Sequence, residues 1–168
     1  NLSDFEYCTW DIFPQNCYEV AKNSKVVFGD LVEELKEELS AIRPYKAVFD
    51  QNYVKNLTGE HTKNGKTKMD LAIELMRDIE TFQKEKRCDR LVMIWCGSTE
   101  IYKKKSAVHS SLEAFEKGLQ NNDSDIAPSM IYAYAALKLG IPYANGAPNL
   151  SADIPALETL AEKTGSPT

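Results

Sequence analysis

The stretch Asp89–Arg90–Leu91–Val92–Met93–Ile94–Trp95–Cys96–Gly97–Ser98–Thr99–Glu100 constrains the fold most. A run of large apolar residues, Leu91 to Trp95, follows a charged start and stops at small and polar residues. A short unbroken apolar run with polar ends predicts a strand covered on both faces, flanked by parallel neighbours. The change at Cys96 puts a small-residue loop at the strand's C-terminal end. In open α/β folds, ligands bind at that edge. A buried strand leading into an ordinary surface loop satisfies the same residues, so the run fixes the element and leaves its use open.

The flanking segments read as helices. Met69, Ala72, Leu75, Met76, Ile79 and Phe82 define an amphipathic helix that ends near Lys86, just before the strand. Val108, Leu112, Phe115 and Leu119 define the next helix, with Ser106 as its expected cap. Pro128 suits a first helical turn. Met130 to Leu139 is apolar nearly all round, which predicts burial, and Gly140 suits the C-terminal cap. Ile141–Pro142–Tyr143–Ala144 predicts a short edge strand, because Pro142 disfavours a central one. A small-residue turn, Asn145–Gly146–Ala147–Pro148–Asn149, follows. The last helix carries Ile154, Leu157, Leu160 and Ala161, with Ser151 or Asp153 as cap and Gly165 as its stop.

Upstream, Phe5 to Trp10 predicts a short strand or ordered coil. Asp11–Ile12–Phe13–Pro14 reads as the start of a helix. Asp11 is either its cap or a carboxylate facing a ligand hydroxyl. Phe28, Leu31, Val32, Leu35, Leu39 and Ile42 predict one helix over about 24–41, and Ala47–Asp50 predicts a strand. Gln51 to Lys68 is polar and long for a connection, which suits a lid or a mobile loop.

Helices alternating with short apolar strands predict an α/β layered fold with parallel strands. Cys96–Thr99 and Asn145–Pro148 each follow a strand candidate, so a parallel sheet brings both to one edge. Small residues there let backbone approach a planar or phosphorylated ligand. The chain contains no glycine-rich phosphate loop of the nucleotide-binding kind.

Composition excludes more than it assigns. The 168 residues suit one domain, and the net charge of -5 argues against a general nucleic-acid binder. No apolar run approaches a membrane span, and the start shows no secretion-signal pattern. Cys8, Cys17, Cys88 and Cys96 lack metal or disulfide spacing, which fits a reducing compartment. No metal site is expected. His61 has no partner at ligand spacing. His109 is expected at a surface or interface. Lys103, Lys104 and Lys105 read as a solvated turn or, less simply, as a phosphate-attracting cluster.

Four motifs together carry a resemblance. Thr9–Trp10–Asp11–Ile12 resembles the Gly-Trp-Asp-Ile segment of the myo-inositol-phosphate synthases. Leu91 to Glu100 is similar to that family's apolar strand ending in Trp-Thr-Ala-Asn-Thr-Glu. Asp125–Ile126–Ala127–Pro128–Ser129 resembles its Glu-Ile-Ala-Pro-Ser. Gly140 to Pro148 resembles its Gly-Val-Pro-Tyr-Ile-Asn-Gly-Ser-Pro. Order and spacing agree over almost the whole chain.

The resemblance implies a Rossmann-like NAD-binding domain with a mostly parallel sheet, present here as an internal fragment. In that reading residues 1–168 are the central part of the NAD domain. The family's glycine-rich loop would precede Asn1, and its catalytic lysines and tetramerisation region would follow Thr168. The implied activity of the full-length protein is conversion of D-glucose 6-phosphate to 1D-myo-inositol 3-phosphate, by oxidation, intramolecular aldol closure and reduction. A cytoplasmic homotetramer is implied as well. The fragment alone is expected to be inactive and to bind NAD weakly or not at all.

The resemblance also implies site residues, all for the cofactor and none catalytic. Asp11 matches a carboxylate facing the adenosine ribose. Ala47 stands where better-known members have a serine near the adenine. Cys96, Gly97, Ser98 and Thr99 match Thr-Ala-Asn-Thr beside the dinucleotide, with only Thr99 retained. Asn145, Gly146 and Ala147 match Asn-Gly-Ser beside the nicotinamide half. Two other readings use the same sheet: an NAD-dependent sugar-phosphate dehydrogenase, and a non-catalytic NAD-binding or assembly domain.

Overall fold

The computed structural model describes residues 4–168. The chain forms two compact units, one running up to Ala47 and including Gly59–Thr62, the other made of Val48–Thr58 and Lys63–Thr168.

In the first unit, β1 (Trp10–Asp11) pairs in parallel with β2 (Tyr45–Lys46), Trp10 opposite Tyr45 and Asp11 opposite Lys46. Between them run α1 (Cys17–Ser24), α2 (Gly29–Glu34) and α3 (Lys36–Ala41). The predicted helix start at Asp11 is displaced to Cys17. Asp11 Oδ1 instead accepts the Phe13 N–H at 3.0 Å and turns the chain. Asn16 is the cap: its side chain accepts the Glu19 N–H, and the Glu19 carboxylate accepts the Asn16 N–H, both at 2.9 Å.

The single helix expected over 24–41 is broken at Leu35, whose φ and ψ of -93° and 18° belong to neither neighbour. Half of the predicted apolar stripe is exposed. Phe28 is 87% exposed, and Leu31 and Leu35 are exposed, whereas Val32 is buried. Packing of an apolar face supplies most helical stability, so this stripe does not enforce one continuous rod. The strand expected at Ala47–Asp50 lies earlier. Ala47 itself makes a lone parallel bridge to Thr62 and donates its N–H to the His61 carbonyl at 3.1 Å.

The second unit contains α4 (Lys68–Lys86), β3 (Met93–Trp95), a 3-10 turn at Ala107–His109, α5 (Leu112–Gln120), α6 (Pro128–Lys138), β4 (Tyr143–Asn145) and α7 (Pro155–Thr164). Thr67 and Asp70 form a capping box on α4, and Pro128 opens α6 at a position where its missing N–H costs nothing. As its all-round apolar sequence predicts, α6 is buried from Pro128 to Leu137. It packs against α4 and α7. Ala72, Leu75 and Ile79 of α4, Phe115 and Leu119 of α5, and Leu157 and Leu160 of α7 are buried with it. Each large apolar side chain so buried contributes about 1.5–3 kcal/mol. The Phe115 and Tyr134 rings lie 5.9 Å apart.

β3 pairs in parallel with β4, with Met93 opposite Tyr143, Ile94 opposite Ala144 and Trp95 opposite Asn145. The parallel α/β reading therefore holds, with a correction. β3 is covered on one face, not two: Met93 is buried, while Val92 and Ile94 are 65% and 64% exposed. Alternate side chains on a strand point to opposite faces, and the described residues cover one of them. β4 is also its one strand partner among the described residues.

Other expectations are corrected by local hydrogen bonding. His109 is fully buried, not superficial. Its Nδ1 accepts the Ser106 N–H at 3.0 Å, so Nε2 carries the proton and faces the Asp125 carbonyl at 3.1 Å. Ser106 thus heads the 3-10 turn, and Ser111 caps α5. Neither Ser151 nor Asp153 caps α7. The Asp153 carboxylate accepts the Ser151 N–H at 2.9 Å, and the helix opens at Ile154 and Pro155. The long polar segment has anchors within this unit. The buried Tyr53 donates its hydroxyl to the Ser124 carbonyl, and Lys63 pairs with Asp78 of α4 at 2.7 Å. Among the described residues, no helix is long and apolar enough to cross a membrane.

Candidate functional site

Each unit presents the C-terminal end of a parallel strand pair. In the first unit Asp11 ends β1, and Ala47 comes one residue after β2. The Asp11 side chain is exposed, and Ala47 is buried. His61 joins them: its Nδ1 lies 3.0 Å from the Asp11 carbonyl oxygen, which can only accept, so Nδ1 is the protonated nitrogen. The His61 N–H also donates to the Ile12 carbonyl at 3.0 Å. Sequence spacing gives His61 no partner, because the contact is made to backbone fifty residues away.

In the second unit the parallel register brings the two expected loops to one edge. Trp95 and Asn145 are the last paired residues. Cys96, Gly97, Ser98 and Thr99 leave β3 there, all exposed, and Asn145, Gly146 and Ala147 leave β4. The Gly146 N–H donates to the Trp95 carbonyl at 2.9 Å. Gly97 lies over the Trp95 indole, so close that a Cβ would meet the ring at 3.0 Å. Both glycines are thus required by packing on Trp95, whatever else they do. Asn145 uses both ends of its amide inside its own loop. Nδ2 donates to the Asn149 carbonyl and Oδ1 accepts the Ala147 N–H, each at 3.0 Å. These bonds shape the loop and engage both ends of the Asn145 amide within it.

Beneath the loops lies a buried polar cluster that motif spacing does not single out. Glu100, Ser129 and Asn149 are 3%, 0% and 4% exposed. Ser129 donates its N–H to Glu100 Oε1 at 3.0 Å and its hydroxyl to Oε2 at 2.5 Å. Desolvation raises the Glu100 pKa, against these bonds, which lower it. The signal available in the sequence is a charged residue closing an apolar strand's loop and a serine inside an apolar helix start.

Lys103, the first of the lysine cluster, pairs with Asp125 at 3.2 Å. Among the described residues no group of three His, Cys, Asp or Glu side chains has metal-holding geometry. At the first strand end Asp11 presents an exposed carboxylate, one oxygen of which accepts the Phe13 N–H; at the second, Cys96–Thr99 presents exposed small residues with two hydroxyls.

Comparison with known proteins agrees with this architecture. Residues 1–168 match an NAD-binding family model described as myo-inositol-1-phosphate synthase. The chain is 40% identical over 168 residues to inositol-3-phosphate synthase 1 of Bacteroides thetaiotaomicron, covering 99% of this chain and 39% of that protein. It is 29% identical to inositol-3-phosphate synthase of Saccharomyces cerevisiae, covering 98% of this chain and 33% of that protein. The fold matches a crystal structure of inositol-3-phosphate synthase from Caenorhabditis elegans with a TM-score of 0.88, at 24% identity, over 95% of this chain and 32% of that one. The chain therefore spans between about a third and two fifths of the length of these relatives. With its whole length matched by the family model, this chain belongs to the myo-inositol-1-phosphate synthase family.

Proposed function

We propose that the complete protein carrying these residues is an inositol-3-phosphate synthase, which cyclises D-glucose 6-phosphate to 1D-myo-inositol 3-phosphate. The observation that carries this reading is the pair of exposed small-residue loops at one parallel strand edge, in a chain whose family model is NAD-binding. NAD held by these residues would supply reversible hydride transfer to and from the sugar. In this reading the 168 residues are the central part of the NAD domain.

The proposed contributions of the chain's own residues are to bind and orient. Asp11 accepts hydrogen bonds from the adenosine ribose hydroxyls. Ala47 packs near the adenine through its backbone and methyl group. Cys96, Gly97, Ser98 and Thr99 border the dinucleotide, with Ser98 and Thr99 offering hydroxyls. Asn145, Gly146 and Ala147 border the nicotinamide half through backbone groups. No residue of this chain is assigned to proton transfer. An enolate and a phosphate dianion need nearby cations, and none of these loops supplies one. A cytoplasmic homotetramer is part of the same proposal.

The test follows NADH absorbance and phosphorylated inositol together, in the complete protein given glucose 6-phosphate and catalytic NAD. Inositol phosphate should form without net NADH, because the redox cycle closes. Stoichiometric NADH with an uncyclised oxidised sugar makes the protein a sugar-phosphate dehydrogenase. No turnover by a folded, NAD-loaded protein makes it a binding or assembly domain.

A further inference from the structure

The Glu100 carboxylate stands where two loops meet, and its partners come from both sides. Thr99, its immediate neighbour, ends the loop after β3. Ser129 on α6 gives it two bonds. Asn149, from the segment after β4, donates Nδ2 to Glu100 Oε2 at 3.3 Å and to Ser129 Oγ at 3.0 Å. Asn149 in turn holds Asn145 through its carbonyl, and Asn145 holds Ala147. A continuous chain of bonds thus runs from one loop to the other.

Asn149 Oδ1 is buried with no partner among the described residues. The amide faces the carboxylate with its donor end and leaves its acceptor end unsatisfied, so the carboxylate dictates its orientation. Such a cluster is a poor way to fill space, since an apolar side chain would avoid the desolvation. Of the groups facing Glu100, Asp50 opposes its charge and Lys68 favours it, and the Tyr53 and Tyr143 hydroxyls lie within its field.

We propose that Glu100 is a positioning residue: through Ser129 and Asn149 its carboxylate fixes the Cys96–Thr99 loop relative to the Asn145–Ala147 loop, and so sets the opening offered to the dinucleotide. The clamp itself stands on the hydrogen bonds; its effect on the dinucleotide rests on the NAD reading above.

The test exchanges donor and acceptor in the complete protein. Asn149→Asp places a second carboxylate against Glu100, and two such groups cannot both ionise in that space. Protection of the amides in both loops, taken relative to the intrinsic exchange rate at each pH and to wild type, should fall as pH rises, without cofactor. NAD affinity should fall about tenfold or more across the pH range in which the shared proton leaves. The double variant Glu100→Gln with Asn149→Asp restores a donor–acceptor pair with reversed polarity. It should return loop exchange to the wild-type rate and NAD affinity to within about threefold, on the non-additive coupling expected of two groups in contact. Loops that exchange at the wild-type rate in Asn149→Asp, or a double variant that repairs nothing, overturn the clamp. If Asn149→Asp does not fold, protection of the loops in the double variant decides alone. A wild-type protein that binds no NAD removes the cofactor reading, whereas the exchange comparison still decides the clamp.

Discussion

The backbone N–H of Gly146 donates to the carbonyl of Trp95 at 2.9 Å, one step past the last paired residues of β3 and β4. A Cβ on Gly146 would stand 2.9 Å from that same carbonyl oxygen. The bond and the missing side chain are therefore one requirement. They hold the two loops side by side at the strand ends, where parallel α/β sheets bind ligands.

Gly146→Val should separate the strands at this edge, because the atom it meets is backbone and cannot rotate away. The expected loss is about 1–3 kcal/mol of stability, on the scale of forced overpacking. Denaturant unfolding measures it. An unchanged midpoint would mean that the edge yields freely and that the close approach is incidental.

His109→Leu tests the buried imidazole. The side chain is 0% exposed and satisfies the Ser106 N–H and the Asp125 carbonyl at once. Leucine matches neither, and each orphaned group costs about 1–3 kcal/mol. A melting temperature within error of wild type would show that both groups find other partners.

The sequence makes the elements of the second unit legible because local and tertiary signals agree there. The α4 stripe, the Pro128 start and the all-round apolar α6 each demand burial, and each is buried. The first unit is less legible. Phe28, Leu31 and Leu35 have helical spacing, yet they remain exposed, so periodicity alone overstates one continuous helix. Cys96–Thr99 and Asn145–Ala147 are legible as a shared edge because parallel pairing leaves no other arrangement. The clamp beneath them is not, since Glu100, Ser129 and Asn149 meet only through tertiary contacts. His109 is misread for the same reason: its acceptor, the Asp125 carbonyl, is backbone and leaves no trace in residue type.

The burial of Glu100 predicts a pH dependence of definite sign. Desolvation, the largest influence, raises its pKa above the ordinary carboxylate value. Between those two values the folded state holds a proton that the unfolded chain has lost. The stability it contributes is fully present below the ordinary value and is lost as pH rises through the raised one. Glu100→Gln removes this titration while keeping an acceptor for the Ser129 N–H. The melting temperature of the variant relative to wild type should therefore climb as pH rises from about 4 towards neutrality, the range of a raised carboxylate. A gap that stays flat or narrows would contradict the burial assigned to this group.

Asp11→Ala separates the two roles open to that carboxylate. Its Oδ1 bonds the Phe13 N–H at 3.0 Å on an exposed turn, and it caps no helix. An exposed hydrogen bond of this kind is worth about 0.5–1.5 kcal/mol, so the melting temperature should move little. If the carboxylate also accepts from the ribose hydroxyls, NAD affinity of the complete protein should fall by about 1.5–3 kcal/mol, the scale for a charged hydrogen bond. Asp11→Asn refines the comparison. Its amide oxygen can keep the Phe13 turn, so stability should match wild type, while loss of the charge still weakens NAD. Calorimetric titration with NAD alongside thermal unfolding reads both quantities for each variant. A drop in melting temperature with unchanged NAD affinity would confine Asp11 to the turn and leave the adenosine half of the proposed site without its carboxylate.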